Sequence, residues 1–146
     1  MAVRDDRSDV KQTTTGFRDP RHHICQKQIP IPPSAIIAAD VFFDAGVQVM
    51  AGVVIQPGAK VGRSCIINTG VVIDHDCEIN DDCHLAPGVT LSGGVVVGKR
   101  THIGTGASVI QDIVIGEDSI VAAGSIVHEN VESSTKYIQQ RKKRIL

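Results

Sequence analysis

The sequence predicts an all-β chain wound as a parallel β-helix, and two observations carry that prediction. From Ala35 onward the chain divides without insertion into sixteen hexads, beginning "AIIAAD", "VFFDAG", "VQVMAG" and ending "SIVAAG", "SIVHEN". The third position is apolar in every one of them, from Ile37, Phe43 and Val49 to Ile115, Val121 and Val127. The first position is small or β-branched, and the sixth is mostly Gly, Asp or Asn, residues that accept tight-turn and left-handed dihedrals. A β-sandwich needs strands and loops of uneven length, whereas a frame of six that never slips fits short strands alternating with turns and stacking coil on coil. Three hexads per coil make a triangular prism of just over five coils, with neighbouring coils about 4.8 Å apart.

Each segment follows from that frame. Residues 1–34 lie outside it and are expected to be extended or partly disordered, with Pro30, Pro32 and Pro33 leading into the first coil. Residues 35–130 form the β-helix. Residues 131–146 are a basic tail or a short helix, which Ser133 or Ser134 would cap and which would run through Ile145. A helix there would shield the open end of the prism. Cys65, Cys77 and Cys83 all occupy the first position and lack metal-ligand spacing, so they are expected as buried reduced thiols, Cys65 directly under Cys83.

Charge narrows the function classes. Residues 35–130 carry four basic and eleven acidic side chains, which argues against a nucleic-acid platform. Neither a secretory signal nor an apolar run of membrane-crossing length is present, so the protein is read as cytoplasmic and without a membrane partner. The outward second position holds Ile36, Phe42, Val54, Ile66, Val72, Val96, Val114, Ile120 and Ile126, too much apolar surface for one prism to leave wet. Self-association is expected.

The central stretch "IINTGVVIDHDCEINDDCHLAPG" adds chemistry to this regularity. His75 is the fifth residue of its hexad, at a corner, with no core to fill. Asp74 and Asp76 flank it and are placed to raise its pKa and to orient it. Asn68 stands one hexad earlier and His84 half a coil later. Gly93 stacks directly above His75 at eighteen-residue spacing, leaving backbone N–H groups approachable. On the residues alone His75 is either a solvated corner group or a general base, and the second suits acyl transfer. A base accepts the proton of an amine or hydroxyl, and a bare amide receives the developing oxyanion.

The frame resembles the left-handed β-helix of the hexapeptide-repeat acyltransferases over residues 35–130; the hand rests on the resemblance alone, since the crossover rule favours the other. The run "NTGVVIDHDCEINDDCHLAPGVTLSGGVVVG" resembles the central coils of sialic acid O-acetyltransferase-type enzymes, which include N-acetyltransferases of nucleotide-linked amino-sugars. That resemblance implies an acetyl-CoA-dependent transferase acting on a sugar or nucleotide-sugar, and a homotrimer with its sites between subunits. It implies His75 and Asp76 as base and orienting acid, Asn68 and His84 as assisting residues, and Gly93 as the amide facing the thioester. It also implies acetyl-CoA contacts at Gly104, Gly106 and Ala122 to Gly124, with Lys99 and Arg100 as weaker candidates for its phosphates; His102, eighteen residues after His84, is expected to stack with it on one face and is a lesser candidate for the groove.

The chain departs from that family at both ends. The residues before the frame contain no Gly-rich βαβ turn for a nucleotide-sugar, so a fragment, a truncated homologue or a different acceptor is expected. After the last coil "VESSTKYIQQRKKRIL" replaces the proline- and glycine-containing closing turn. Two other classes compete. One is a catalytically silent trimeric scaffold. The other is a zinc enzyme of carbonic anhydrase type using His75, His84 and His102, although the two histidines five residues apart that such a site uses are missing, and no metal site is expected.

Overall fold

The computed structural model describes residues 29–139. Within them seventeen two-residue strands fall into three parallel sheets that form the faces of a prism. Face A stacks Ile36–Ile37, Val54–Ile55, Val72–Ile73, Thr90–Leu91, Ser108–Val109 and Ile126–Val127. Face B stacks Phe42–Phe43, Lys60–Val61, Glu78–Ile79, Val96–Val97 and Val114–Ile115. Face C stacks Gln48–Val49, Ile66–Ile67, His84–Leu85, His102–Ile103, Ile120–Val121 and Lys136–Tyr137. Through the sixteen hexads, neighbouring strands of a face pair at a spacing of eighteen residues, as in Val54 with Val72 and Val72 with Thr90.

The hexad explains the section. Its second and third residues are the strand, its third and first point inward, and its last three turn the corner. Ile55, Ile67, Ile73, Ile79, Leu85 and Leu91 are almost fully buried at the third position, as are Val53, Cys65, Val71 and Cys77 at the first. The sixth position carries a left-handed φ at every turn from Gly46 to Gly124, whether glycine, Asp76, Asp82 or Arg100. The three described cysteines are free and buried. Burial is the largest cause pushing the Cys77 thiol up to about 11, while the thiol of Cys65 is raised mainly by its contact with Cys83.

A polar ladder runs inside the B–C corner. The Cys65 and Cys83 thiols donate to the carbonyls of Asn80 (2.9 Å) and Gly98 (3.0 Å). The hydroxyls of Thr101 and Ser119 donate in the same way to Gly116 (2.8 Å) and Glu132 (2.9 Å). Every buried side-chain nitrogen and oxygen among the described residues is paired. Thr101 is 1% exposed, so Thr101→Val, which keeps the shape and removes the donor, is expected to cost about 1–3 kcal/mol. A lower urea midpoint at unchanged slope would register it, and an unchanged midpoint would contradict it.

The ladder extends past both sequence-derived limits. At the foot, Ile29 is buried and Ile31 packs on the core; the Ser34 hydroxyl accepts the Gly52 N–H (3.1 Å), as the Asp40 carboxylate accepts that of Gly58 (3.0 Å). Residues 29–34 therefore behave as one more hexad. At the top, the helix expected from Ser133 or Ser134 is absent from the described residues, and the remainder of it, 140–146, lies outside them. Val131 bridges to Ile115 and Lys136–Tyr137 pairs with Ile120–Val121, both sixteen residues on instead of eighteen. Ser134 takes the left-handed turn position (φ 58), which no α-helix passes through, and the added strand gives the exposed backbone edge its hydrogen bonds. Among the described residues no helix is long and apolar enough to cross a membrane.

Candidate functional site

The A–B corner is built from fourth-, fifth- and sixth-position residues, and His75 occupies its middle. The preceding strand, Val72–Ile73, buries Ile73, so the chain turns outward at Asp74. The Asp74 carboxylate accepts the backbone N–H of His75 (2.8 Å) and Asp76 takes the left-handed φ of 57°, together fixing the turn. The His75 ring is 62% exposed and lies against Gly93: a Cβ there would come within 2.6 Å of both Cε1 and Nε2. Nδ1 is 2.9 Å from Oδ2 of Asp76. A carboxylate only accepts, so Nδ1 carries the proton and Nε2 keeps a lone pair. The hydrogen bond to Asp76 is the largest influence raising the pKa of His75, aided by the charges of Asp74, Asp76 and Asp112.

A groove of about 470 Å³ opens here, lined by Asp74, His75, Asp76, Ser92, Gly93, Gly94, Gln111 and Asp112. Gly94 donates its N–H to the His75 carbonyl (2.9 Å), whereas the Gly93 N–H has no acceptor among the described residues. A base with a free lone pair and an unspent amide thus stand side by side.

Asn68, His84 and His102 form a second cluster. An Asn68 Nδ2 hydrogen points to His84 Nε2 (3.3 Å), and His84 meets His102 edge to face at 4.8 Å between centroids. The amide donates, so Nε2 accepts and Nδ1–H of His84 is left as a donor. Burial first, then His102, lower the His84 pKa and hold the ring neutral. Face C lies opposite the A–B corner, and one prism therefore separates this cluster from His75 instead of gathering them. The nine-residue spacing from His75 to His84 is half of an eighteen-residue coil, which was the signal for opposite sides. Among the described residues no group of three His, Cys, Asp or Glu side chains is placed to hold a metal ion.

The expected acetyl-CoA contacts divide between corners. Gly104, Gly106, Ala122 and Gly124 do line one corner, C–A, but their amides are spent on the carbonyls of Val121, Pro87, Tyr137 and Thr105. Next to these glycines, the amides of Thr105 and Ala123 have no acceptor among the described residues. Thr105 was missed by sequence reasoning, though Gly93 also sits at the fifth position and the register pointed to it. Lys99 is elsewhere, on the B–C corner. It joins Asp81 (3.2 Å), beside Arg63 with Asp44 (3.8 Å) and Arg100 with Asp118 (2.6 Å) and Glu117 (3.2 Å). Charges alternate in sign up this corner, so its cations already have partners.

Fold and repeat define a hexapeptide-repeat protein with a left-handed parallel β-helix. Residues 58–93 match the family model described as bacterial transferase hexapeptide (six repeats). Solved structures make the likeness specific. A mutant of perosamine N-acetyltransferase from Caulobacter crescentus, in complex with CoA and GDP-perosamine, is 45% identical with a TM-score of 0.71, the match covering 73% of this chain and 50% of that one. The acetyltransferase domain of PglB from Neisseria gonorrhoeae, in complex with acetyl coenzyme A, is 31% identical with a TM-score of 0.70, covering 71% and 51%. Serine acetyltransferase isoform 3 from Entamoeba histolytica, 23% identical with a TM-score of 0.53 over 69% and 38%, shares the fold alone. This chain therefore spans about half the length of the acetyltransferases it resembles. No curated protein matches it.

Proposed function

We propose that this chain is an acetyl-CoA-dependent acetyltransferase that modifies the amino group of a sugar or nucleotide-sugar, with His75 as general base. The observation that carries the reading is the His75 ring: Nδ1 on Asp76, Nε2 free and against Gly93, whose amide is unspent. The acceptor nitrogen attacks the thioester carbonyl while Nε2 takes its proton; the Gly93 N–H receives the oxyanion; the imidazolium then returns the proton to the departing thiolate. The C–N bond forms, the C–S bond breaks, and no covalent acyl-enzyme is needed. The perosamine N-acetyltransferase to which this chain is similar supports an amine over a hydroxyl acceptor.

The reading includes a homotrimer with sites between prisms, located in the cytoplasm where acetyl-CoA is available. Ile36 (69% exposed), Ile120 and Ile126 need cover. With Asn68 and His84 opposite the His75 corner, their help would come from a neighbouring copy. Acetyl-CoA would lie along the C–A corner, against the bare surface of Gly106 and Gly124 and the free amides of Thr105 and Ala123. Sedimentation of wild type as a monomer at assay concentration would refute the trimer.

Thiol release from acetyl-CoA in the presence of GDP-perosamine or another amino-sugar nucleotide tests the activity, and no release with any amine would refute it. The pH profile tests the base. Because the pKa of His75 is raised, its neutral form and the rate appear only above the ordinary histidine range. Asp76→Asn removes the chief cause, so the acid limb of kcat/KM is expected to move to lower pH while the plateau falls. An unmoved limb would exclude His75 as the titrating base.

A further inference from the structure

We propose that Asp112 is the specificity-determining carboxylate of the groove, holding the acceptor's ammonium beside His75 and so selecting amines over hydroxyls. The inference rests on the acetyltransferase reading and assigns a role to a residue outside the base, its orienting acid and the oxyanion donor.

The groove contains three carboxylates, Asp74, Asp76 and Asp112, and no lysine or arginine. Two of the three are committed: Asp74 to the His75 backbone N–H, Asp76 to Nδ1. The Asp112 carboxylate has no hydrogen-bond or ion-pair partner among the described residues. The backbone holds it firmly, with φ at 59° and its N–H donated to the Gly93 carbonyl (3.0 Å). Its carboxylate drops over the bare face of Gly94, where a Cβ would come within 2.7 Å of Oδ1. The sixth-position column of this corner reads Asp40, Gly58, Asp76, Gly94, Asp112. Gly94 is the gap that lets Asp112 reach toward the His75 level, and Asp112 is among the charges that His75 senses.

A neutral hydroxyl can donate one hydrogen bond to an anion so placed but brings no charge to pair with it. A primary ammonium gains a charge-assisted hydrogen bond from it and is held with a neighbouring N–H toward the lone pair of Nε2. One proton leaves the ammonium for solvent before attack, and the second is taken by His75 as the C–N bond forms. The carboxylate therefore acts in binding and orientation and takes no proton itself.

Asp112→Asn is the informative variant, because asparagine accepts the same left-handed φ and keeps the turn. Steady-state kinetics with acetyl-CoA and GDP-perosamine are expected to show KM for the amine raised on the order of tenfold, with KM for acetyl-CoA unchanged and kcat reduced less than KM rises. A purely structural role would move both KM values together or lower the melting temperature. Asp112→Glu, which restores the charge, is expected to recover part of the loss. An unchanged amine KM in Asp112→Asn, with wild type active, would overturn the role of Asp112 and leave the acetyltransferase intact. Absence of turnover by wild type would overturn both.

Discussion

His75→Ala is expected to lose turnover on the order of a hundredfold or more while retaining fold, oligomeric state and affinity for acetyl-CoA. The separation follows from where the side chain sits. Its ring is largely exposed, its one side-chain partner is Asp76, and the core beneath it is closed by Val71, Ile73 and Cys77. Removing it creates no cavity and strands no buried group, so the melting temperature is expected to stay put. The Gly93 amide remains, and with it the residual rate that positioning and oxyanion stabilisation supply. Acetyl-CoA binding, measured by calorimetry, discriminates the catalytic reading from a silent scaffold. A scaffold shows no saturable binding in either protein, whereas an enzyme shows equal binding and unequal turnover. Equal acetyl transfer by wild type and variant would defeat the assignment of His75.

The repeat made the interior legible because one rule recurs: third position inward, first position small and inward, sixth position left-handed. Register then followed by counting, so that Gly93 over His75 and Cys83 over Cys65 could be read at eighteen-residue spacing. The rule failed where counting failed. Ile29 and Ile31 take interior seats, but the prolines at 30, 32 and 33 disguise that hexad as a linker. Beyond Asn130 the chain drops two residues, Val131 fills a third-position seat, and the ending lost its period and resembled a cap and helix. At the site, column neighbours were visible and rotamers were not. Nothing in the spacing says that Asp112 folds onto Gly94 or that the fourth-position amides of the C–A corner are spent. The ion pair of Lys99 with Asp81 also stands at eighteen residues, and on those grounds was open to reading.

Two glycines in adjacent hexads are expected to respond to the same substitution in opposite ways. At Gly98 an added Cβ would meet only backbone: Glu117 N at 2.4 Å, Gly116 C at 2.6 Å and Glu117 Cα at 2.8 Å. Those atoms belong to the next coil, whose turn is tied in place by the Asp118 N–H to the Lys99 carbonyl (2.8 Å). Gly98→Ala has no rotamer to relieve it, so the coils must part, at a cost on the order of 3 kcal/mol. At Gly93 the Cβ would meet the far end of one flexible side chain, Cε1 and Nε2 of His75. The imidazole is exposed and swings aside at a stability cost of about 0.5 kcal/mol or less. It loses its seat against the corner, and Nε2 no longer addresses an acceptor held beside the Gly93 amide. Misplacing a base by about 1 Å is enough for a loss on the order of a hundredfold. Gly98→Ala is therefore expected to lower the denaturation midpoint sharply and Gly93→Ala to leave it nearly unchanged, with turnover collapsing in the second while its fold is intact. A Gly93→Ala enzyme with wild-type turnover would mean that the observed His75 position is not the catalytic one. Equal destabilisation by the two would mean that the His75 ring braces the coil and is not free to move.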